Sequence, residues 1–255
     1  MLDKQAIFPL ILSLLAGLST VIGAFIVFFS KSNNKRLITF ALSFSAGVMI
    51  TISFTDLYPS AQIVLTKYKG DFNGILLTLL FIIIGAVLAY LIDLFFPDDN
   101  KNVSKDSPLY RVGFVSMIAL MLHNFPEGIA TFISGYEDTQ LGIYIAMAIA
   151  LHNIPEGISI AMPIYYSTGK RTLAFKYTFI SGIAEPIGGF LAFLFLKPFI
   201  NELILSIIFA LVAGIMLYIA FQELIPQSRK YGHTLVYICS LILGICIIPI
   251  SHIFL

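Results

Sequence analysis

Residues 112–135 read VGFVSMIALMLHNFPEGIATFISG, and residues 141–166 read LGIYIAMAIALHNIPEGISIAMPIYY. Both runs exceed the roughly 20 apolar residues that carry a helix across a bilayer. Both hold the same polar motif, His-Asn-x-Pro-Glu-Gly, in mid-run. Six further runs of similar length flank them, at residues 7–30, 37–59, 73–96, 173–196, 203–225 and 234–255. In hydrocarbon every backbone N–H and C=O must find a partner within the protein, and runs about twice the length of a barrel strand, without alternation, do so as helices. The sequence therefore predicts an all-α integral membrane protein with eight transmembrane helices, residues 1–255 forming a single polytopic membrane domain.

Composition points the same way. Of 255 residues 58% are hydrophobic and 11% charged, with a mean hydropathy of +0.95, whereas soluble domains carry about 25% charged residues. Eight spans leave room for short loops only, and a net charge of +1 argues against a nucleic-acid partner, which needs a strongly basic face. The run 7–30 is too long for a signal-peptide core and has no small-x-small cleavage site after it, so it reads as the first span. Basic residues set the orientation. Eleven, among them Lys31, Arg36, Lys101, Arg111, Lys170 and Lys230, flank the loops after spans one, three, five and seven, against Lys4, Lys67, Lys69 and Lys197 on the other side. By the positive-inside rule this is a cell-membrane protein with both termini outside the cytoplasm. Cys239 and Cys246, both in the last span, make no disulfide framework and are expected to be buried apolar filler.

Two internal echoes organise the chain. His123-Asn124-Phe125-Pro126-Glu127-Gly128 returns 29 residues later as His152-Asn153-Ile154-Pro155-Glu156-Gly157. Ala46, Gly47, Met49, Ile52, Phe54, Asp56, Leu57 and Pro59 match Ala213, Gly214, Met216, Ile219, Phe221, Glu223, Leu224 and Pro226 at a constant offset of 167. In each echo the two helices run in opposite directions, as an inverted-topology repeat requires. Spans one to three then mirror spans six to eight around a central pair, a 3+2+3 arrangement.

The first echo carries the chemistry. Positions i, i+3 and i+4 share a helix face, so His123, Asn124 and Glu127 converge, as do His152, Asn153 and Glu156. The proline in each motif frees the carbonyl one turn back, that of Leu122 or Leu151, and the glycine admits a neighbouring helix. Glu127, Glu156 and Glu185 of span six all fall at mid-depth, where a charge costs at least about 2.5–3.5 kcal/mol. No Lys or Arg lies deeper in any span than about a turn from its end. Either protons neutralise these acids or a cation binds among them. Histidine and asparagine beside each glutamate favour the cation, and imidazoles with oxygen donors and no thiolate suit Zn²⁺, Fe²⁺, Mn²⁺ or Co²⁺, where Na⁺ or Ca²⁺ would use oxygen alone.

At these residues the chain resembles the ZIP (Zrt/Irt-like) metal transporters, most closely their bacterial ZupT branch. The likeness extends over the whole chain and includes Ile180-Ser181-Gly182-Ile183-Ala184-Glu185-Pro186 in span six. It implies a secondary transporter that takes up zinc, with Fe(II), Mn(II), Co(II) or Cd(II) as further cargo, the metal being substrate and not cofactor. It also implies a two-metal site. Asn124, Glu127, His152, Asn153, Glu156 and Glu185 carry the ligands, Glu127 and Glu156 bridge both ions, and His123 ranks below them. Finally, it implies an elevator-like movement of spans one, four, five and six and a homodimer formed through the static spans. One departure stands out. Many relatives have a histidine-rich loop between spans three and four, whereas Pro97–Pro108 has no histidine and offers at most a weak collecting patch of Asp98, Asp99 and Asp106.

Asp56 and Glu223, mates in the second echo, are candidates for attracting cations at the two ends of the path, while His233 and His252 are read as incidental. An intramembrane metallohydrolase is the alternative reading, but no His-Glu-x-x-His order is present and so many donors leave little room for a catalytic water. A proton relay or a purely structural membrane protein is a third.

Overall fold

The computed structural model describes residues 4–29, 34–95, 107–196, 201–251 and 253. The loop acids Asp98, Asp99 and Asp106, and His252, lie outside the described residues.

Among the described residues the structure is helical throughout. Helix α1 (Lys4–Ala24) tightens into a 3-10 turn at Phe25–Phe28. A single rod then comprises α2 (Lys35–Ile52), a π-helical turn at Ser53–Leu57 and α3 (Tyr58–Lys69), so that the helix continues well past residue 59, where the apolar run stops. Gly70, at φ 80°, turns the chain into α4 (Asp71–Phe95). Helices α5 (Ser107–Glu137) and α6 (Thr139–Thr168) carry the twin motifs and are separated by Asp138 alone. Both continue unbroken through Pro126 and Pro155. Next come α7 (Arg171–Gly182) and α8 (Ala184–Leu191), then α9 (Glu202–Tyr218), a second π turn at Ile219–Leu224, α10 (Ile225–Arg229) and α11 (Thr234–Ser251). Asn34 and Asn201 cap α2 and α9, their side chains accepting the backbone N–H three residues on.

Seven of these helical segments are long and apolar enough to cross a membrane, and the shorter apolar helix Thr234–Ile250 joins them. The protein is thus a multi-pass integral membrane protein. Residue size sorts the helices. Helix α4 presents Phe72, Leu76, Leu80, Ile83, Val87 and Leu91 outward, the pattern of a helix bathed in lipid. Helix α2 buries Ala41, Ser43, Ser45, Ala46 and Gly47, small residues that let backbones approach.

Two packing groups result. Helices α1, α5, α6, α7 and α8 pack chiefly on one another, as do α2, α3, α4, α9 and α11. Within the second group a Cβ on Gly47 would overlap the Leu241 carbonyl of α11, and one on Gly214 the Ile82 carbonyl of α4. The expectation of buried cysteines is corrected here: Cys239 and Cys246 are both exposed. Helix α11 meets α2 through Ser240, which hydrogen-bonds Ser43, and through Gly244 and Ile248. That four-residue stripe turns the cysteines off the packed face.

Candidate metal centre

The site begins with two glycines. A Cβ on Gly128 would overlap the carbonyl of Glu185, and one on Gly157 the carbonyl of Thr20. Helix α5 therefore lies backbone to backbone against α8, and α6 against α1. This brings the side chains one turn earlier in each motif to the middle of the first packing group.

There His123, Asn124, Glu127, His152, Asn153, Glu156 and Glu185 are all buried. His152 Nε2 stands 2.9 Å from Glu127 Oε1. His123 Nε2 lies 3.1 Å from the same oxygen and 3.2 Å from Glu156 Oε1. His123, placed below the others by resemblance, thus sits between the two motif glutamates. Two ligands on one tetrahedral zinc, with bonds of about 2.0–2.2 Å, are themselves about 3.3–3.6 Å apart, so these hydrogen-bond separations need to open by only a few tenths of an ångström to admit the ion. One donor atom each from His123, Glu127 and His152 falls within 4.8 Å of the others.

The amides build the opposite flank. Asn153 Nδ2 donates to Glu185 Oε2 at 2.8 Å and to the Ala16 carbonyl at 3.1 Å. Asn124 Nδ2 donates to the Ser181 carbonyl at 3.2 Å. Each amide is thereby fixed with its oxygen turned elsewhere. The oxygens Asn124 Oδ1, Asn153 Oδ1, Glu127 Oε2, Glu156 Oε2 and Glu185 Oε1 are buried with no hydrogen-bond donor. Unmatched buried acceptors carry a large desolvation cost, and what these five share is the capacity to bind a cation. No Lys or Arg pairs with Glu127, Glu156 or Glu185 among the described residues.

Asp56 belongs to the same region. The π turn that carries it borders a cavity of about 280 Å³ whose wall also includes Glu127, His152, Ser60, Ser134 and Ile149. Glu223 does not. With Asp93, Arg111 and Lys230 it lines a separate cavity of about 340 Å³ at the other end of the molecule. There Arg111 Nε donates to Asp93 Oδ1 at 2.8 Å and Arg111 Nη2 to the Asp93 carbonyl at 2.9 Å. Sequence reading passed over Asp93, although an acid inside an otherwise apolar run was a legible signal. It could not have found the carbonyls of Ala16 and Ser181, which depend on helix contacts.

Fold and donor set together define a multi-pass membrane protein with a buried cluster of imidazoles, amides and carboxylates. The family described as "ZIP Zinc transporter" matches residues 97–251, and the chain belongs to it. Its relatives include the zinc transporter ZupT of Oceanobacillus iheyensis, 44% identical over 94% of this chain and 95% of the relative. Those of Streptococcus mutans, 43% identical over 94% and 95%, and Lysinibacillus sphaericus, 40% identical over the full length of both, are similar as well. The family is one of transporters, not enzymes, which displaces the metallohydrolase alternative.

Proposed function

We propose that this protein is a secondary transporter that takes up zinc through a two-metal centre formed by Asn124, Glu127, His152, Asn153, Glu156 and Glu185, with His123 as a full member. One observation carries the reading: three buried carboxylates and two imidazoles face one another with five oxygens unmatched and, among the described residues, no Lys or Arg to balance them. In the absence of other positive charge, a dication offsets the cost of burying them. One ion takes the imidazoles of His123 and His152 with Glu127 and Glu156. The other takes Asn124, Asn153 and Glu185, with the two motif glutamates bridging. Fe(II), Mn(II), Co(II) and Cd(II) fit the same donors and form a second tier of cargo.

The path follows from the cavities. The opening walled by Asp56, Glu127 and His152 leads to the end of the molecule that is poor in basic residues, the outside by the positive-inside rule, with both termini there. Toward the basic end, Met117, Leu120, Ile160, Met162, Ile164 and Met216 pack into one continuous core. The protein is therefore caught open outward and sealed inward, with Glu223 awaiting the ion on the inner side. Release requires the group α1, α5–α8 to move against the group of α2–α4 and α9–α11, an elevator movement that the division of the helices into two packing groups supports. The matched π turns at Ser53–Leu57 and Ile219–Leu224, and the glycine contacts of Gly47 and Gly214, support the 3+2+3 inverted repeat of eight spans, α11 being the eighth. A homodimer forms through the static group.

Uptake of radiolabelled zinc into proteoliposomes tests the proposal. Protein-dependent flux that disappears in Glu127→Gln and Glu156→Gln supports it. Flux unchanged in both variants, or none from the wild type, overturns it.

A further inference from the structure

The centre is built twice, and the second copy has a different residue at one position. Asn124 donates to the Ser181 carbonyl just as Asn153, 29 residues on, donates to that of Ala16. Gly128 abuts the Glu185 backbone as Gly157 abuts that of Thr20. Gly188 abuts the Phe125 carbonyl as Gly23 abuts that of Ile154. A Cβ on Gly17 would meet Glu185 Cβ at 3.1 Å, and one on Gly182 would meet Thr20 Cβ at 3.2 Å. Gly17, Thr20 and Gly23 therefore occupy in α1 the places of Gly182, Glu185 and Gly188 in α7 and α8, at a constant offset of 165. Thr20 is the inverted counterpart of Glu185.

Its hydroxyl behaves accordingly. Thr20 is fully buried, and its Oγ1 has no hydrogen-bond partner. A helical threonine ordinarily bonds the carbonyl four residues back. Here that carbonyl, of Ala16, already accepts from Ser19 Oγ and from Asn153 Nδ2. In the other half Asn153 Nδ2 makes a second bond, to the Glu185 carboxylate, whereas Asn124 Nδ2 has only the Ser181 carbonyl among the described residues.

We infer that Thr20 is a further ligand-bearing residue of the centre, supplying a neutral hydroxyl oxygen where its mirror position supplies a carboxylate. This rests on the reading of the centre as a zinc site. Thr20 then joins Asn124, Asn153 and Glu185 around the second ion, which has one carboxylate of its own where a symmetric pair of positions would give two, and this ion is held more weakly than the one on the two imidazoles. A weak second site limits how strongly two adjacent dications are retained, which favours release.

Zinc titration calorimetry on the full chain purified in detergent tests this. The wild type shows a tight and a weak binding event. Thr20→Val weakens the weak event about tenfold and leaves the tight one in place, and Thr20→Ser restores it. Thr20→Glu strengthens the weak event at least tenfold, a gain that no structural role for Thr20 produces. Glu185→Gln weakens the same event, and His152→Gln weakens the tight one. Thr20→Val and Thr20→Glu titrations that superimpose on the wild type, while Glu127→Gln loses zinc, overturn the inference and leave the zinc site standing. A single zinc event in the wild type also overturns it. Absence of any zinc binding by the wild type removes the underlying reading with it.

Discussion

At the scale of single residues the governing quantity is unbalanced charge. Glu127, Glu156 and Glu185 are buried together among histidines and amides, with no Lys or Arg among the described residues paired with them. Removing one charge therefore relieves the metal-free protein and weakens the metal-bound one. Glu156→Gln is expected to melt no lower than the wild type in chelator, yet to lose at least about a hundredfold in zinc affinity by calorimetry. Zinc at a hundredfold excess over its dissociation constant is expected to raise wild-type stability by about 2.7 kcal/mol, seen as a higher melting temperature, and to leave the variant's unchanged. The same donors must be deprotonated to bind metal, so zinc affinity falls as the medium is acidified. A binding isotherm that does not move between neutral and mildly acidic buffer contradicts that expectation.

At the scale of helices, close backbone approach decides where those charges sit. Gly157 has no room for a Cβ against Thr20, whereas Gly169 has nothing within 4 Å but holds φ 71°. Alanine at the two positions separates the effects. Gly157→Ala forces α6 from α1, costs about 1–3 kcal/mol and carries Glu156 and Asn153 out of register, so thermal stability and zinc affinity fall together. Gly169→Ala costs about 1 kcal/mol through backbone strain and leaves zinc affinity intact. The π turn plays a comparable positioning role. By inserting one residue at Ser53–Leu57 it sets Asp56 on the wall of the outer cavity.

At the scale of the whole molecule, two packing groups meet along a surface held, at the end that carries Glu223, by Arg111 of α5 and Asp93 of α4, with Tyr218 of α9 donating to Asp93 Oδ2 at 3.3 Å. This link joins the two groups. Asp93→Asn is expected to weaken it by about 1 kcal/mol and so to raise the inward-open population about fivefold. A cysteine introduced at Met162, in a background without Cys239 and Cys246, reports the change as faster thiol labelling from the inner side. An unchanged labelling rate means that the pair is not part of the seal.

The helical membrane class, the repeated polar motif and the cluster of acids were all legible in the linear chain, because hydrophobic length and repeated polar motifs are local properties. His123 shows where that legibility stops: a place between two glutamates depends on how α5 and α6 rotate against each other, which no spacing along one helix specifies. The π turns, the continuation of α2 into α3, the outward turn of Cys239 and Cys246 and the Asp93–Arg111 pair were likewise settled by contacts between segments far apart in sequence. Sequence alone determined that charge without counter-charge would be carried into the bilayer, since composition and run length decide what must be buried. Only the tertiary structure decided which oxygens and nitrogens face one another, because that depends on glycine-mediated backbone contacts between helices.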